Sequence, residues 1–426
     1  MNYKTFFKGK HIAVVGLGPH GEMVADIKFL LKTGALVSLY DIRSENRMQG
    51  PLSVLRTAGL TRYELGTPPG ESLLQSELII LSQEIPKDSL FLKKVYNAGI
   101  RIEYPDVLFL KLAPPITLIG IMGQCGKSTV AHMLYAVLKQ SFKDYEAQGL
   151  YFIDPDLPNG ALTHLKKIKQ GDVILARITE EMLGEYHEAR ISPHVAVITS
   201  LTSSAMEGVP TAFAILEHQT YNNFIVATDI VIDNIKSKSN FTTKAKMLRT
   251  RSTNQALAIQ TAELFKVPVE TAQGIIDNFT GLRSHQELVK KIDGVEFYND
   301  SASVTPLATV FALQTLQSAD AKNIVLILGG AYTKHDYSEL ISLLSRYVSS
   351  VILLPGTGSL GLRESLETMR GIRFLQAPTL EDAVIMSKGE SRKGDKVIFS
   401  PAFEAVGIHI SRKDRGEKFV KAVRSL

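Results

Sequence analysis

The sequence predicts an α/β protein built from three domains in series. Apolar runs of strand length alternate with helical patterns along all 426 residues, which is typical of parallel, doubly wound sheets. Two glycine-rich turns each follow such an apolar run and precede a helical pattern. The chain is also too long for one ordinary hydrophobic core.

The first domain, predicted over residues 1–108, opens with the βαβ pattern of a Rossmann-like domain. The strand HIAVV runs into the turn GLGPHG at 16–21, a helix follows, and a second strand ends at Asp41. A G-x-G-x-x-G turn with an acidic residue about 20 positions later is the fingerprint of dinucleotide binding. Alone, it predicts a nucleotide or another phosphate-bearing ligand, with NAD as the default. The strands predicted here cover residues 11–15, 35–40, 78–81 and 99–103.

The second domain, predicted over residues 109–283, begins with the most informative segment, ITLIGIMGQCGKSTVAHML at 116–134. An apolar run enters a glycine-dense turn, and a helical pattern starts directly after it. Glycines let successive backbone N–H groups converge on an anion, and the helix adds its positive N-terminal end. Lys127 can then reach the β- and γ-phosphates of ATP, and the Ser128 hydroxyl can hold Mg²⁺. The segment predicts a P-loop ATPase-like domain.

The glycine spacing departs from a standard Walker A motif. Gly120, Gly123 and Gly126 form G-x-x-G-x-x-G-K, whereas the standard motif would have its first glycine where Ile121 stands. A glycine-rich turn with an exposed lysine is the alternative, but the order of strand, turn, Lys-Ser and helix favours a phosphate cradle. Cys125 in this turn is either a small residue tolerated there or a redox-active thiol.

The rest of the second domain and the third domain continue the alternation of strands and helices. The third domain, predicted over residues 284–426, is Rossmann-like. The basic stretch at 236–251 is interpreted as a solvated surface face rather than a phosphate site. The further strands are predicted at 172–176, 194–199, 224–227, 294–298, 323–330, 351–355 and 395–400, and the helices at 252–265 and 269–278.

The composition describes a globular protein of the cytoplasm. Hydrophobic residues make up 45%, charged residues 21%, and the net charge of +5 is spread along the chain, which gives no reason to expect nucleic acid as a partner. The single cysteine excludes a disulfide framework and fits a reducing compartment. No run approaches the ~18 apolar residues of a membrane span, so we expect no membrane insertion. We expect a monomer.

The sequence resembles the Mur ligases over essentially its whole length. The cradle is followed far downstream by Asn299-Asp300-Ser301, Leu328-Gly329-Gly330 and Asp414-Arg415-Gly416. The resemblance implies that ATP activates a substrate carboxylate as an acyl phosphate, which the amine of an amino acid then attacks. Within the family, the pattern is most similar to the ligases that add D-glutamate to UDP-N-acetylmuramoyl-L-alanine. It also implies that the first domain binds the UDP-linked sugar substrate rather than NAD.

The resemblance assigns site residues position by position. Leu17 and Gly18 would face the diphosphate, with Asp41 and Arg43 around the uracil and phosphate. Lys127 is the candidate catalytic residue, and ATP and Mg²⁺ are the implied cofactors, with Ser128 as a metal ligand. The residues expected to bind the nucleotide are Gly123, Gln124, Cys125, Gly126, Lys127, Ser128, Thr129, Asn254, Asn299 and Asp300.

Several chemistry-bearing positions depart from the family pattern. Arg177 stands where the family has a carboxylate for Mg²⁺, and only a shift to Glu180 or Glu181 would supply one. Ala205 replaces a metal-binding histidine, and no lysine lies anywhere in 170–235 to form the family's carbamate. The alternatives to a working ligase are therefore a degenerate homologue that serves as a nucleotide-binding scaffold or regulator, and a ligase with an altered substrate. The third alternative is an NAD-dependent oxidoreductase, but this function would leave the cradle unexplained.

Overall fold

The described residues form three separate β-sheets, each packed with helices. The computed structural model describes residues 2–18, 21–83, 85–142, 149–155, 157–200, 215–216, 218–219, 222–237, 243–250, 253–318, 322–331, 335–405 and 412–426. These residues divide into two compact units, Met1–Phe279 and Thr280–Leu426. The first unit contains two sheets and the second contains one, and each unit is described by itself.

The first sheet has five parallel strands in the order β3-β2-β1-β4-β5. β1 is central and apolar because helices cover both faces of a parallel sheet. The strands are β1 (His11–Val15), β2 (Leu36–Asp41), β3 (Arg62–Leu65), β4 (Leu78–Leu81) and β5 (Arg101–Glu103), and the helices are α1 (Tyr3–Phe7), α2 (Val24–Lys32), α3 (Gln49–Thr57), α4 (Leu90–Asn97) and α5 (Pro105–Leu112).

The second sheet has six parallel strands in the order β11-β10-β9-β6-β8-β7. The strands are β6 (Thr117–Met122), β7 (Leu150–Ile153), β8 (Val173–Arg177), β9 (Val195–Ile198), β10 (Phe224–Thr228) and β11 (Lys246–Thr250), and the helices are α6 (Lys127–Phe142), α7 (Glu180–Glu188), α8 (Asp229–Ser237), α9 (Asn254–Glu263) and α10 (Val269–Asp277). Since β6 lies between β9 and β8, the carboxyl ends of those two strands flank the loop that follows β6.

The third sheet, in the second unit, has the order β12-β13-β17-β14-β15-β16. β12 is antiparallel to β13, and the other pairings are parallel. The strands are β12 (Glu287–Ile292), β13 (Val295–Asn299), β14 (Ile324–Leu328), β15 (Val348–Leu353), β16 (Arg373–Gln376) and β17 (Lys396–Phe399), and the helices are α11 (Pro306–Leu316), α12 (Ser338–Tyr347), α13 (Thr357–Thr368), α14 (Leu380–Glu390) and α15 (Arg412–Ser425).

A buried carboxyl joins the first two sheets within the first unit. Asp26 of α2 accepts a hydrogen bond of 2.8 Å from the Leu162 N–H, in the 3₁₀ helix Ala161–Lys166. Burial raises the pKa of Asp26 to about 7, although the hydrogen bond from Leu162 lowers it. Gly160 precedes the 3₁₀ helix with φ of +68°, and a Cβ there would lie 2.7 Å from Asp26 Oδ1. The close approach of α2 therefore requires glycine at this position.

The predicted α/β class and the three sheets are confirmed. The third sheet differs from the prediction in its antiparallel edge strand β12, which the sequence analysis did not identify. Part of the basic stretch at 236–251 forms β11, an edge strand, where a wholly solvated surface face was expected. The exact domain limits of 1–108, 109–283 and 284–426 stay predictions. Among the described residues, no helix has the length and apolarity needed to cross a membrane.

Candidate functional site

The predicted cradle lies between the end of β6 and the start of α6. Gly123 and Gly126 have φ of +127° and +83°, in the region that favours glycine. A Cβ at Gly123 would lie 2.5 Å from Thr199 Oγ1 and 2.9 Å from the Ser200 nitrogen. These two glycines are therefore required both by their backbone conformation and by the close approach of neighbouring groups.

The loop is held by the residues that follow β9. The Cys125 N–H donates to Ser200 Oγ at 2.8 Å, and the Gln124 N–H points to the Ser200 carbonyl oxygen at 3.4 Å. Thr199 Oγ1 donates to the Cys125 carbonyl oxygen at 2.5 Å. Thr199 and Ser200 were not among the predicted site residues, although their place at the carboxyl end of a predicted parallel strand was a usable signal.

Lys127, Ser128 and Thr129 form the first turn of α6. The first N–H groups of an α-helix have no intrahelical partner, so this turn is suited to an anion. Lys127 Nζ donates to the carbonyl oxygens of Gly123 at 2.5 Å and Gln124 at 3.0 Å. The lysine thus folds over its own loop, and its ammonium lies against two carbonyl oxygens of the cradle.

Asn254 is brought to the cradle from a distant part of the sequence. It is the first residue of α9, whose N-cap Thr253 accepts from the Ala256 N–H at 3.0 Å. Helix α9 packs against α6. A Cβ at Gly126 would lie 2.6 Å from Asn254 Oδ1. The amide of Asn254 therefore borders the predicted phosphate site.

The residues beside the cradle do not fit a Mg²⁺ ion held by the protein. Mg²⁺ prefers carboxylate and other oxygen ligands, and Ser128 supplies one hydroxyl. Arg177 ends β8, and its Nε donates to Asp154 Oδ1 at 2.8 Å, so this carboxylate is engaged by a guanidinium. Throughout the part of the chain that the structure describes, no group of three or more His, Cys, Asp or Glu residues could hold a metal.

Glu180 and Glu181 were considered as substitutes for the missing metal ligands, and this stays a prediction. Glu180, the first residue of α7, is exposed. The side chain of Glu181 and all of Ala205 lie outside the described residues.

In the first domain, three of the four predicted substrate residues meet at one carboxylate. Asp41 Oδ2 accepts from the Leu17 N–H at 3.0 Å, and Asp41 Oδ1 accepts from Arg43 Nε at 2.9 Å. Burial raises the pKa of Asp41, but the hydrogen bonds from Arg43 and Leu17 outweigh it and leave the pKa lowered. Asp41 is therefore an ionised group that fixes the turn after β1.

The fourth residue, Gly18, lies against an acidic side chain that sequence analysis missed. A Cβ at Gly18 would overlap the Glu22 carboxylate. A diphosphate at this turn would meet a negative charge, which opposes its binding. The position of Glu22 follows the G-x-G-x-x-G turn directly, but its orientation toward Gly18 depends on the side-chain conformation and could not be predicted.

Asn299 and Asp300 lie in the second unit, and both are buried. Asn299 Nδ2 donates to Glu287 Oε2 at 3.2 Å, and Asp300 accepts from Ser400 Oγ at 2.7 Å. Burial raises the pKa of Asp300 to about 7, against the lowering effect of the hydrogen bonds from Ser400, Ser303 and Gln286. Both side chains thus form hydrogen bonds to residues of neighbouring segments in the same sheet. A contact of either side chain with the nucleotide stays a prediction.

Comparisons with known proteins agree with the resemblance. No protein-family model matches the chain. It is 26% identical over 474 aligned positions to the UDP-N-acetylmuramoylalanine–D-glutamate ligase of Roseiflexus sp. (strain RS-1), covering 98% of this chain and 99% of the relative. The ligase of the same name from Clostridioides difficile (strain 630) is 25% identical, with 98% and 99% covered.

A solved structure shows the same fold. The UDP-N-acetylmuramate–alanine ligase of Thermotoga maritima matches with a TM-score of 0.60 at 15% identity, covering 98% of this chain and 99% of the other. The resemblance is thereby confirmed: the chain has the fold of the Mur ligases and, along nearly its whole length, is similar in sequence to their UDP-N-acetylmuramoylalanine–D-glutamate ligases.

Proposed function

We propose that this protein is an ATP-dependent ligase that adds D-glutamate to UDP-N-acetylmuramoyl-L-alanine in the synthesis of peptidoglycan precursors. The observation that carries the proposal is the glycine cradle at 123–129, with Lys127 folded over it, in a chain similar over nearly its whole length to ligases of that name. The reaction takes place in the cytoplasm, and the enzyme is a monomer.

The reaction has two steps. An oxygen of the substrate carboxylate attacks the γ-phosphorus of ATP, the bond to ADP breaks, and an acyl phosphate forms. The amine nitrogen of D-glutamate then attacks the acyl carbon, phosphate leaves, and the nitrogen loses a proton. Enzymes accelerate such transfers chiefly by positioning the reactants and stabilising the charge that develops on the phosphoryl oxygens.

In this proposal the cradle and Lys127 bind the ATP phosphates. The Ser128 hydroxyl contributes an oxygen next to them, and Asn254 contacts the nucleotide from α9. Leu17, Asp41 and Arg43 position the UDP part of the other substrate. We do not assign a Mg²⁺ ion to protein ligands, because Arg177 and its ion pair with Asp154 occupy the position where the family has a carboxylate.

The missing family residues favour a degenerate homologue, and the intact cradle favours a working ligase. We give the cradle more weight. The lysine missing from 170–235 would have served metal binding, whereas the loop, the lysine over it and Asn254 are in place. An altered amino-acid substrate is compatible with the same cradle, so the test below supplies D-glutamate and a mixture of other amino acids separately.

The proposal predicts that nucleotide turnover depends on Lys127. Purified protein is incubated with ATP, Mg²⁺ and UDP-N-acetylmuramoyl-L-alanine, together with D-glutamate, with a mixture of other amino acids, or with neither, and ADP release is measured. Removing one electrostatic contact to a transferred phosphoryl group costs on the order of a hundredfold in rate, so Lys127→Ala should lower turnover by about that factor. Lys139→Ala is the matched control, because Lys139 lies exposed near the other end of α6 and should turn over normally.

D-glutamate-dependent ADP release that falls in Lys127→Ala alone would support the ligase. ADP release that only another amino acid stimulates would assign the altered substrate. ATP binding without any turnover would favour the degenerate homologue over the proposed function.

A further inference from the structure

The end of β8 carries a buried ion pair beside the cradle. β8 pairs with β6 so that Arg177 lies opposite Ile121, two positions before Gly123. Side chains alternate along a strand, and Ile121 and Leu175 pack in the same apolar cluster as the α6 residues Val130 and Leu134. Arg177, two residues after Leu175, therefore lies on the α6 side of the sheet, toward the end of α6 that carries Ser128.

Asp154 completes the pair from the neighbouring strand. It directly follows β7, whose last residue Ile153 pairs with Ala176 of β8. Arg177 is 6% exposed and Asp154 is 8% exposed. Nε and Nη2 of Arg177 lie 2.8 Å and 2.7 Å from Asp154 Oδ1. Two charges this buried are tolerated because each neutralises the other.

This arrangement changes the charge balance of a phosphate site. In P-loop enzymes, an acidic side chain near the cradle holds Mg²⁺ together with the loop serine or threonine. Without its metal, such a carboxylate repels the nucleotide phosphates. The Arg177–Asp154 pair has no net charge, so it adds no repulsion that a metal ion would have to cancel. A guanidinium also presents five donors and remains charged at any physiological pH.

We propose that the Arg177–Asp154 ion pair takes the place of a protein-held metal ion, so that the cradle binds the ATP phosphates without dependence on a divalent cation. The inference rests on the proposed nucleotide site but not on the ligase reaction. It concerns binding of the nucleotide only. Catalytic turnover of the same protein can still require Mg²⁺ carried in by ATP itself.

The experiment is a titration of the full-length protein with ATP in excess Mg²⁺ and in excess EDTA. We expect the two dissociation constants of the wild-type protein to agree within about threefold, whereas an ordinary P-loop site, which owes much of its phosphate binding to the metal, would bind ATP more weakly in EDTA. In Arg177→Gln, the Asp154 carboxylate loses its guanidinium partner, and the ratio of the EDTA to the Mg²⁺ dissociation constant should rise to about tenfold or more. The double variant Arg177→Gln with Asp154→Asn is neutral again and should return the ratio to near one.

The double variant keeps hydrogen-bonding side chains at both positions and contains no buried unpaired charge, so it supplies a folded comparison if the single variant is unstable. Melting curves of all three proteins establish that folded protein is compared. ATP binding by the wild type that weakens at least tenfold in EDTA would overturn the inference and leave the ligase proposal intact. Absence of ATP binding in both buffers would contradict the nucleotide site itself, and with it both proposals.

Discussion

Glu22 is the residue at which the first glycine turn departs most from an anion site. Its carboxylate lies against Gly18, where the resemblance implies a substrate diphosphate. Asp41 and Arg43, at the same turn, are bound to each other. The substrate must either displace this side chain or bind against its charge.

We therefore predict that Glu22→Gln binds the UDP-linked substrate more tightly than the wild type. Two charges about 4 Å apart near a protein surface interact by a few kcal/mol at most, and screening reduces this, so we expect a gain of about three- to tenfold in affinity. Calorimetric titration with UDP-N-acetylmuramoyl-L-alanine measures it. Glu71→Gln, at an exposed position of the same domain, should leave the affinity unchanged. An equal or weaker affinity in Glu22→Gln would show that the diphosphate binds elsewhere.

At the scale of elements, the packing of α2 on the 3₁₀ helix Ala161–Lys166 depends on Gly160. Gly160 and Gly171 both have positive φ, at +68° and +88°, yet only Gly160 is crowded. A Cβ at Gly160 would lie 2.7 Å from Asp26 Oδ1 and 2.9 Å from Ala25 Cβ, whereas nothing lies within 4 Å of one at Gly171. An alanine at Gly171 therefore introduces backbone strain alone, whereas an alanine at Gly160 introduces backbone strain and steric overlap.

Gly171→Ala should lower the free energy of unfolding by about 1 kcal/mol, the cost of a left-handed conformation with a Cβ. Gly160→Ala should lower it by about 3 kcal/mol, because overpacking adds to that strain. Urea unfolding of both variants and the wild type measures the difference. Equal losses in the two variants would mean that α2 moves away freely and that its contact with the 3₁₀ helix is loose.

The central strands were predictable from the sequence, whereas among the described edge strands only β5, inside the predicted range 99–103, was found. β1 and β4 are continuous apolar runs because both of their faces are buried, and they were placed correctly. β3 reads RYEL and β16 reads RFLQ, and both are edge strands whose partly exposed side chains hide the strand pattern. β11 was obscured by the basic residues of its stretch. The periodicity of hydrophobic residues reflects which side chains are buried, so strands with few buried side chains cannot be recognised from it.

The candidate site was predictable where its residues adjoin in sequence. The cradle and Lys127 were identified because glycine, lysine and helix follow one another. The partner of Arg177 could not be found in this way, since Asp154 meets it only through the pairing of β7 with β8. Asn254 was assigned from the resemblance alone, and the packing of α9 on α6 explains how it comes to lie beside Gly126.

At the scale of the whole molecule, the predicted ligase distributes its residues over three sheets. The cradle and the turn after β1, to which the proposal assigns the UDP part of the substrate, belong to the first compact unit, while Asn299 and Asp300 belong to the second. Residues held by internal hydrogen bonds, as Asn299 and Asp300 are, stabilise their own sheet whatever their role in the reaction. The ligase reaction is therefore tested on the full-length chain, through the product that it forms.

The measurement is the mass of the product formed by the purified full-length protein from ATP, Mg²⁺, UDP-N-acetylmuramoyl-L-alanine and D-glutamate. We predict a UDP-linked product heavier than the substrate by one glutamate less one water, with one ADP and one phosphate released for each product molecule. An unchanged UDP-linked substrate, with protein that binds ATP in the same buffer, would contradict the account.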